Sequence, residues 1–251
     1  MKKENKTALI TGSGAKRIGN YIAFELAKKR YNIAIHYNTS REEAEKTVEE
    51  LKKLNIRAEA YQADLTDEQQ VKKLVERVKN DFGSIDVLVT AAAAFKKITL
   101  EKTTSEDMLF FFKVNMLSTF LCSKYVGGIM INQKEGGNII HLADWAIIRP
   151  YADYAAYFAS KGAIPTITRT FANELGKRNS RIRVNCISPG PVLLPKDMPK
   201  KEKERAINAT LVKREGSPEN IALAVIHFIE NDFITGQNLN VDGGKSIYND
   251  E

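Results

Sequence analysis

Seven short runs of apolar residues alternate with helix-like patterns, and this alternation limits the possible folds more than any other feature of the chain. The runs are Thr7–Thr11, Asn32–Tyr37, Arg57–Tyr61, Ile85–Thr90, Asn138–Leu142, Arg183–Ile187 and Asn238–Val241. Strands that are almost continuously apolar and separated by helices are typical of a parallel sheet buried on both faces. The sequence therefore predicts an α/β, doubly wound fold: a seven-stranded parallel sheet with helices on both faces.

The segments between the strands carry helix signals. We predict helices over Ile18–Lys29, Ser40–Leu54, Asp67–Phe82, Ser105–Met130 and Pro218–Glu230, and another from just before Tyr157 to about Lys177. Ser40 and Glu43 have the spacing of a capping box, and Asp67 is a typical N-cap residue. The polar segment Lys196–Lys213 is predicted to be a mobile helical flap. Because no linker or repeat interrupts the pattern, we predict a single domain over residues 1–251.

Charge and composition argue against several kinds of protein. The 251 residues carry a net charge of +7, which favours anionic partners, but the cations are scattered, so solvated helix faces are a better interpretation than a nucleic-acid site. No uninterrupted apolar run approaches the ~20 residues that span a bilayer. The N-terminal residues enter a strand pattern without a signal-peptide core, so we expect a cytoplasmic protein. Two cysteines and three scattered histidines lack the spacing of a disulfide framework or a metal site.

A glycine-rich turn, Thr11–Gly19, joins the first predicted strand to the first helix. Glycines let the backbone approach a pyrophosphate closely, and the helix N-terminus presents free N–H groups to it. The second strand ends without an acidic residue for a ribose 2′-hydroxyl, whereas Lys16, Arg17 and Arg41 are available for a 2′-phosphate. The turn therefore predicts NADP(H) as cofactor, with NADPH favoured over NADH. The alternative is that these three residues are ordinary surface cations.

Tyr157 and Lys161 are four residues apart, which places both side chains on one face of a helix. A free phenol holds its proton until about pH 10, and a nearby ammonium group lowers that pKa. A phenol tuned in this way can exchange a proton with an alcohol or a developing alkoxide near neutral pH. The spacing alone is a weak signal, because any surface helix can carry it.

Taken with the glycine turn, these residues make the whole chain resemble the short-chain dehydrogenase/reductase family, whose members have a Rossmann fold and are often homotetramers. The matching motifs are Thr11-Gly12 and Gly19, Asp64 in QADLTD, Asn115 in KVNMLS, Tyr157 with Lys161, Pro189–Val192, and the C-terminal segment Ile234–Gly244. The resemblance implies that Tyr157 and Lys161 are catalytic and that Asn115 holds a proton-relay water. It also implies cofactor contacts from Gly12, Lys16, Arg17, Ile18, Gly19, Tyr37, Asn38, Asp64, Leu65, Ala91, Ala92, Tyr157, Lys161, Pro189, Gly190 and Val192.

The chain departs from the family pattern at four places. Lys16-Arg17 occupies the region of the middle glycine, and Leu194 stands where the family often has a threonine. Thr90–Ala94 replaces the family's Asn-Asn-Ala-Gly, so we expect its amide hydrogen bonds to be lost. Asp144 replaces the catalytic serine, thirteen residues before the tyrosine.

Asp144 changes the expected chemistry, because an ionised carboxylate only accepts hydrogen bonds and repels a developing oxyanion. It must be held protonated by burial or accept a hydrogen bond from a substrate N–H, and the second option suits a nitrogen heterocycle. Pteridine reductases resemble this chain in pairing such an aspartate with an arginine and a phenylalanine, here Arg17 and Phe95. The resemblance implies a substrate site of Arg17, Phe95, Asp144, Trp145 and Tyr157. The alternatives are that Phe95 is core, Arg17 serves only the cofactor, Asp144 has drifted at a tolerant site and Trp145 simply packs.

Two classes of function follow. The first is an NADP-dependent reductase that transfers hydride to a C=O or C=N group with Tyr157 as proton donor. Its substrate is either a pterin-like heterocycle or a 3-oxoacyl thioester on acyl carrier protein, an acidic partner that a basic surface including Lys177 and Arg178 would suit. The second class is a catalytically weak NADPH-binding or scaffold protein, which the lost serine and asparagines permit. The intact Asn115, Tyr157 and Lys161 favour the enzyme.

Overall fold

The computed structural model describes residues 5–194 and 198–249, and in these residues seven strands form one parallel sheet. The strands are β1 Thr7–Thr11, β2 Asn32–Tyr37, β3 Ala58–Gln62, β4 Val87–Thr90, β5 Gly137–Leu142, β6 Ile182–Pro189 and β7 Asn238–Val241. Their order across the sheet is β3-β2-β1-β4-β5-β6-β7. The predicted seven-stranded, doubly wound sheet is confirmed.

Helices cover both faces of this sheet. They are α1 Ile18–Lys28, α2 Arg41–Lys52, α3 Glu68–Phe82, α4 Ser105–Phe111, α5 Ser118–Ile131, α6 Ala155–Gly162, α7 Ile164–Gly176, α8 Lys200–Asn208 and α9 Pro218–Glu230. One core cluster contains buried residues of α1, α2 and α9, and a second contains residues of α3, α5 and α7. Neighbouring strand residues such as Ala8 and Leu9 belong to different clusters, because successive side chains of a strand point to opposite faces.

The strand order creates a crevice at the carboxyl ends of the central strands. β1 pairs with β2 on one side and with β4 on the other, and Thr11 lies opposite Thr90 at the carboxyl ends of β1 and β4. The chain runs outward from β1 to β3 and then returns to the other side of β1. Ligands of open α/β sheets bind at such a switch point, outside the carboxyl ends of the strands.

Two predicted helices differ from their sequence patterns. The predicted helix Ser105–Met130 is one continuous run, but a π-helical segment, Phe112–Leu117, separates α4 from α5. The predicted helix after Tyr157 consists of α6 and α7, with Pro165 in the first turn of α7. A proline has no N–H for the preceding turn, so the break falls where the ring is tolerated.

The helix caps correct one prediction. Asp67 caps α3 as predicted, because its carboxylate accepts hydrogen bonds from Gln69 N and Gln70 N at 2.8 and 3.2 Å. Ser40 makes no side-chain cap, because its backbone (φ −85°, ψ 60°) lacks the extended conformation of an N-cap residue. Capping boxes occur instead at the starts of α4 and α9.

The helical run Ser105–Ile131 has 27 residues and is long and apolar enough by composition to cross a membrane. Half of its most apolar window is buried inside the protein, where Leu121, Val126 and Met130 pack in a core cluster. The sequence analysis looked for uninterrupted apolar runs long enough to span a bilayer. It did not find this helix because polar residues interrupt its apolar sequence. Of the predicted flap, α8 is described as a helix, whereas residues 196 and 197 lie outside the described residues.

Two histidines are buried in the sheet as neutral rings. Nε2 of His36 lies 3.0 Å from the Ala63 carbonyl, and His141 makes hydrogen bonds of 2.8 Å to Ser123 and Thr168 hydroxyls. Burial lowers the pKa of His36 to about 4 and that of His141 to about 3. Each histidine therefore favours the folded state only while it is uncharged.

We expect the free energy of unfolding to decrease as the pH falls below about 6.5. Below that pH the histidines of the unfolded chain bind protons, whereas the buried rings of the folded protein stay neutral. The slope should approach ~1.4 kcal/mol per pH unit for each histidine until the pH nears the folded pKa. Urea titrations between pH 7 and pH 4.5 measure it. His141→Gln should flatten the slope, whereas the exposed His227→Gln should leave it unchanged. An unaltered slope in His141→Gln would contradict the assignment.

Candidate active site

The glycine turn packs directly against the segment that follows β4. Gly12 has φ +62°, in the left-handed region that favours glycine, and a Cβ there would lie 2.7 Å from the Ala92 Cα atom. A Cβ on Gly19 would lie 3.1 Å from the Ala91 Cβ atom. The Thr11 hydroxyl accepts hydrogen bonds from Ala91 N and Ala92 N at 3.0 and 3.1 Å. These contacts leave no room for larger residues between the turn and the first residues after β4.

His36 holds the first residue of the turn from the neighbouring strand. Its Nδ1 atom accepts a hydrogen bond from Gly12 N at 3.1 Å, while Nε2 donates to the Ala63 carbonyl, which fixes the tautomer. The His36 carbonyl also accepts from Ser13 N at 3.1 Å. The sequence analysis missed this role, although a polar residue inside an otherwise apolar strand was a signal for it.

Two exposed cations lie beside the N-terminus of α1. Arg17 is the N-cap residue of that helix and Lys16 precedes it. Neither side chain makes an ion pair with any residue in the described part of the chain. Arg41, the third predicted cation, instead pairs with Glu45 in α2 at 2.8 Å. Lys16 and Arg17 therefore remain the better anion-binding candidates.

The other predicted cofactor residues all follow carboxyl ends of strands. Tyr37 and Asn38 end β2, Asp64 and Leu65 follow β3, and Pro189, Gly190 and Val192 end or follow β6. The Asp64 Oδ1 atom accepts hydrogen bonds from the N and Oγ1 atoms of Thr66 at 2.9 and 2.8 Å. A Cβ on Gly190 would lie 2.4 Å from the Asp242 Cα atom. The structure thus brings these residues to the edge where the glycine turn lies.

Asn115 secures the segment after β4 from the π-helical segment. Its side chain accepts from Ala94 N at 2.8 Å and donates to the Ala94 carbonyl at 3.2 Å and to the Ser160 hydroxyl at 2.9 Å. Ser160 in turn donates to the Tyr157 carbonyl at 2.7 Å. The backbone of Thr90–Ala94 is thus held by Thr11 and Asn115, although its alanine side chains offer no amide hydrogen bonds. Ser160 was missed, although its position three residues after Tyr157 places it on the same helix.

Tyr157, Lys161 and Asp144 meet at the carboxyl end of β5. The Tyr157 hydroxyl donates to Asp144 Oδ2 at 2.8 Å, and Asp144 Oδ1 accepts from Ala146 N at 2.8 Å. The Lys161 ammonium donates to the Leu142 carbonyl at 2.8 Å. Tyr157 and Lys161 are both buried, on one face of α6 as the spacing predicted.

The electrostatics of these groups reverse one expectation. The pKa of Tyr157 is raised well above 10, first by burial and then by the negative charge and hydrogen bond of Asp144, rather than lowered by Lys161. Burial lowers the pKa of Lys161, and the charge of Asp144 opposes this shift. Burial also raises the pKa of Asp144, against the hydrogen bonds from Ala146 and Tyr157 and the charge of Lys161. Desolvation thus favours the neutral form of all three groups.

Aromatic side chains form a wall beside Tyr157. Phe95 stacks on Tyr154 with ring centroids 4.7 Å apart and meets Tyr157 edge-on at 4.8 Å. The Phe95 side chain is 51% exposed, so it is not a core residue. Trp145, directly after Asp144, stacks on Tyr151 at 6.1 Å. The structure therefore brings Phe95 and Trp145 to the site.

Arg17 does not join this group by any described contact. Its side chain makes no hydrogen bond, ion pair or cation–π contact within residues 5–194 and 198–249. In the same residues, no cluster of three or more His, Cys, Asp or Glu side chains has the arrangement of a metal site.

Comparison with known proteins decides the family. The family model described as enoyl-(acyl carrier protein) reductase matches residues 14–246. The 3-oxoacyl-[acyl-carrier-protein] reductase FabG of Staphylococcus epidermidis is 33% identical over 245 residues, which cover 96% of this chain and 98% of the relative. This chain belongs to the short-chain dehydrogenase/reductase family. It is therefore an oxidoreductase of a family that uses nicotinamide cofactors.

Other short-chain dehydrogenase/reductases match over similar lengths. FabG of Thermotoga maritima is 32% identical over 251 residues, covering 98% of this chain and 100% of that protein. The crystal structure of acetoin dehydrogenase from Enterobacter cloacae has a TM-score of 0.88 and 31% identity, with 98% of each chain covered. A short-chain type dehydrogenase/reductase from Mycobacterium ulcerans has a TM-score of 0.90 at 24% identity, covering 99% of this chain and 92% of that one, which supports the fold.

Asn115→Ala should destabilise the protein by about 1–3 kcal/mol, because the half-buried Ala94 N–H and C=O groups lose their partner. Ser160→Ala removes only one of the Asn115 hydrogen bonds, together with the Ser160 bond to the Tyr157 carbonyl, leaves both Ala94 bonds in place and should cost less, about 1–2 kcal/mol. Chemical denaturation of both variants measures the two losses. Equal losses would show that Asn115 does not hold the segment after β4.

Proposed function

We propose that this protein is an NADPH-dependent reductase of a C=O or C=N group, with Tyr157 as the proton donor. The observation that carries the proposal is the position of Tyr157. Its hydroxyl is buried, bonded to Asp144, and lies at the carboxyl edge of the sheet, beyond which the glycine turn also lies. A proton donor at this edge faces the crevice where ligands of such sheets bind.

The residues at the crevice fit NADP(H). Gly12 and Gly190 lie where a Cβ would strike neighbouring backbone, so both turns pack closely against the segments beside the crevice. The first N–H groups of α1 would face the pyrophosphate, and Lys16 and Arg17 would bind the 2′-phosphate. Tyr37 and Asn38 end β2 without an acidic side chain that would repel that phosphate. When bound, the reduced nicotinamide would supply the hydride.

Residues of the chain itself transfer the proton to the substrate. Tyr157 gives its hydroxyl proton to the substrate oxygen or nitrogen as the neighbouring carbon gains the hydride. The Lys161 charge stabilises the resulting phenolate, and Asn115 supports a water chain that returns the proton. The Tyr157–Asp144 hydrogen bond must open or be shared for the phenol to reach the substrate. A protonated Asp144 then donates to the substrate, whereas an ionised one accepts from a substrate N–H.

Two substrate classes fit the site. A pterin-like heterocycle is favoured by Asp144, which can accept from ring N–H groups, and by Phe95, whose half-exposed ring offers a flat apolar surface beside Tyr157. A 3-oxoacyl thioester is favoured by the FabG relatives, which are 3-oxoacyl-[acyl-carrier-protein] reductases. The scaffold alternative corresponds to NADPH binding without turnover of either class.

The remaining proposals concern partners and location. Exposed apolar residues on α4 (Leu109, Phe110), on α9 (Leu223) and directly after α9 (Phe233) support self-association, in line with a homotetramer. The FabG relatives support acyl carrier protein as a partner if the substrate is a thioester, with Lys177 and Arg178 as docking cations. The same relatives support a cytoplasmic location.

Replacing Lys16 and Arg17 together by alanine should lower kcat/KM for NADPH about 10- to 100-fold, because charge-assisted hydrogen bonds contribute ~1.5–3 kcal/mol. The value for NADH should change little. Steady-state rates with each cofactor measure the ratio. Arg41→Ala is the control, because Arg41 already pairs with Glu45. A similar loss for NADPH and NADH would rule out 2′-phosphate recognition.

Asp144→Ser separates the substrate classes. If the substrate is a pterin, this variant should lose activity with dihydropterin, because the acceptor for the ring N–H groups is gone. If it is a 3-oxoacyl thioester, acetoacetyl thioester reduction should be retained or improved, because serine donates to the carbonyl oxygen. The assay follows the absorbance of NADPH with each substrate. Tight NADPH binding without turnover of either would favour the scaffold.

A further inference from the structure

Three cations that lack carboxylate partners lie on segments that meet beside Trp145. Lys245 follows β7, Arg149 follows the Trp145 turn, and Arg205 lies on α8. None of the three forms an ion pair with an acidic side chain of the described residues. Arg149 donates instead to the Tyr248 carbonyl, and Lys245 donates to the Ala206 carbonyl at 2.8 Å. Their positive charges are thus left for another anion.

Lys245 contacts the turn that directly follows Asp144. Its ammonium lies 5.1 Å from the centroid of the Trp145 ring, and Trp145 directly follows Asp144. Lys245 is half-buried. Partial burial and the like charges of Arg149 and Arg205 lower its pKa, in that order, against the charge of Asp242. An anion among the three cations would remove this repulsion.

The backbone that carries Lys245 is fixed before any ligand arrives. The Asp242 carboxylate accepts hydrogen bonds from Gly244 N at 2.9 Å and Ser246 N at 2.8 Å. Gly243 and Gly244 both have positive φ and pack against residues 210–212, and the Gly243 carbonyl accepts from Leu211 N at 2.8 Å. The lysine is therefore preorganised, which reduces the entropy lost when it binds a ligand.

We propose that Lys245, with Arg149 and Arg205, binds an anionic group, a carboxylate or a phosphate, on the tail of the substrate whose reacting end lies at Tyr157. The inference rests on the proposed reductase function for the identity of the substrate. It adds that the enzyme selects substrates by a negative charge beyond the aromatic wall. A glutamate tail on a pterin and the phosphates of a coenzyme A or phosphopantetheine thioester are the two sources of such a charge.

Trp145 is a fluorescent probe of this site, because it is the single tryptophan of the chain. We expect a saturable change in its fluorescence when wild-type protein is titrated with a triglutamate peptide or with inorganic pyrophosphate. Lys245→Gln should weaken the binding of the effective anion about tenfold, the loss of ~1.4 kcal/mol. Arg205→Gln should weaken it several-fold without disturbing the turn, because the Arg205 side chain makes no hydrogen bond in the described residues.

A matched control removes the same charge elsewhere near the site. Lys102 is an exposed lysine in the segment that follows Phe95, and Lys102→Gln should leave the titration unchanged. No saturable change in wild-type protein, or equal weakening in Lys102→Gln and Lys245→Gln, would overturn the proposal. If only the peptide gives a saturable change, the site binds a carboxylate. If only pyrophosphate gives one, the site binds a phosphate.

Kinetics test the same site with whole substrates. The ratio of kcat/KM for dihydrofolate over dihydrobiopterin, or for acetoacetyl-coenzyme A over its N-acetylcysteamine analogue, compares a charged tail with an uncharged one. Lys245→Gln should lower the relevant ratio about tenfold by reducing only the charged substrate's value. An unchanged ratio contradicts tail recognition. Absence of all turnover, with fluorescence titrations that still saturate, refutes the proposed reductase and leaves the anion site supported.

Discussion

The hydrogen bond between the Tyr157 phenol and the Asp144 carboxyl group governs the chemistry that this site can perform. With Lys161 buried one helical turn away, three ionisable groups share a volume from which water is largely excluded. Their charges are coupled, so a proton gained or lost by one changes the pKa of the others. The reactive unit that we propose is therefore a triad of tyrosine, aspartate and lysine, rather than a phenol activated by a single ammonium group.

The fold supports this triad through a few polar side chains buried in an apolar frame. His36 fixes the start of the glycine turn from β2, Thr11 bonds the segment after β4, and Asn115 bonds the same segment from the opposite side. Each is satisfied by backbone partners, which is the condition for burying a polar group at little cost. The cofactor crevice and the proton donor are thus held by one connected set of hydrogen bonds.

The sequence by itself determined the seven strands of the sheet and the spacing of Tyr157 and Lys161. Near-continuous apolar runs fixed seven parallel strands, and the helical repeat placed Tyr157 and Lys161 on one face of α6. The apolar runs and the helical spacing are patterns within short stretches of chain, and the alternation of strands with helices then predicts how the strands pair. The failed capping box at Ser40 shows the limit, because the pattern gave the residue types but the approach from β2 set a backbone angle unsuited to capping.

Only the tertiary structure decided the sign of the Tyr157 pKa shift, the exposure of Phe95 and the position of Lys245 over Trp145. The pKa shift arises from burial and from a carboxylate thirteen residues earlier, and the Lys245 contact joins residues a hundred positions apart. Desolvation and long-range packing depend on how whole elements meet, and no local spacing encodes them. The sequence therefore named most of the groups in the site, whereas the assembled sheet and helices set their charge and their neighbours.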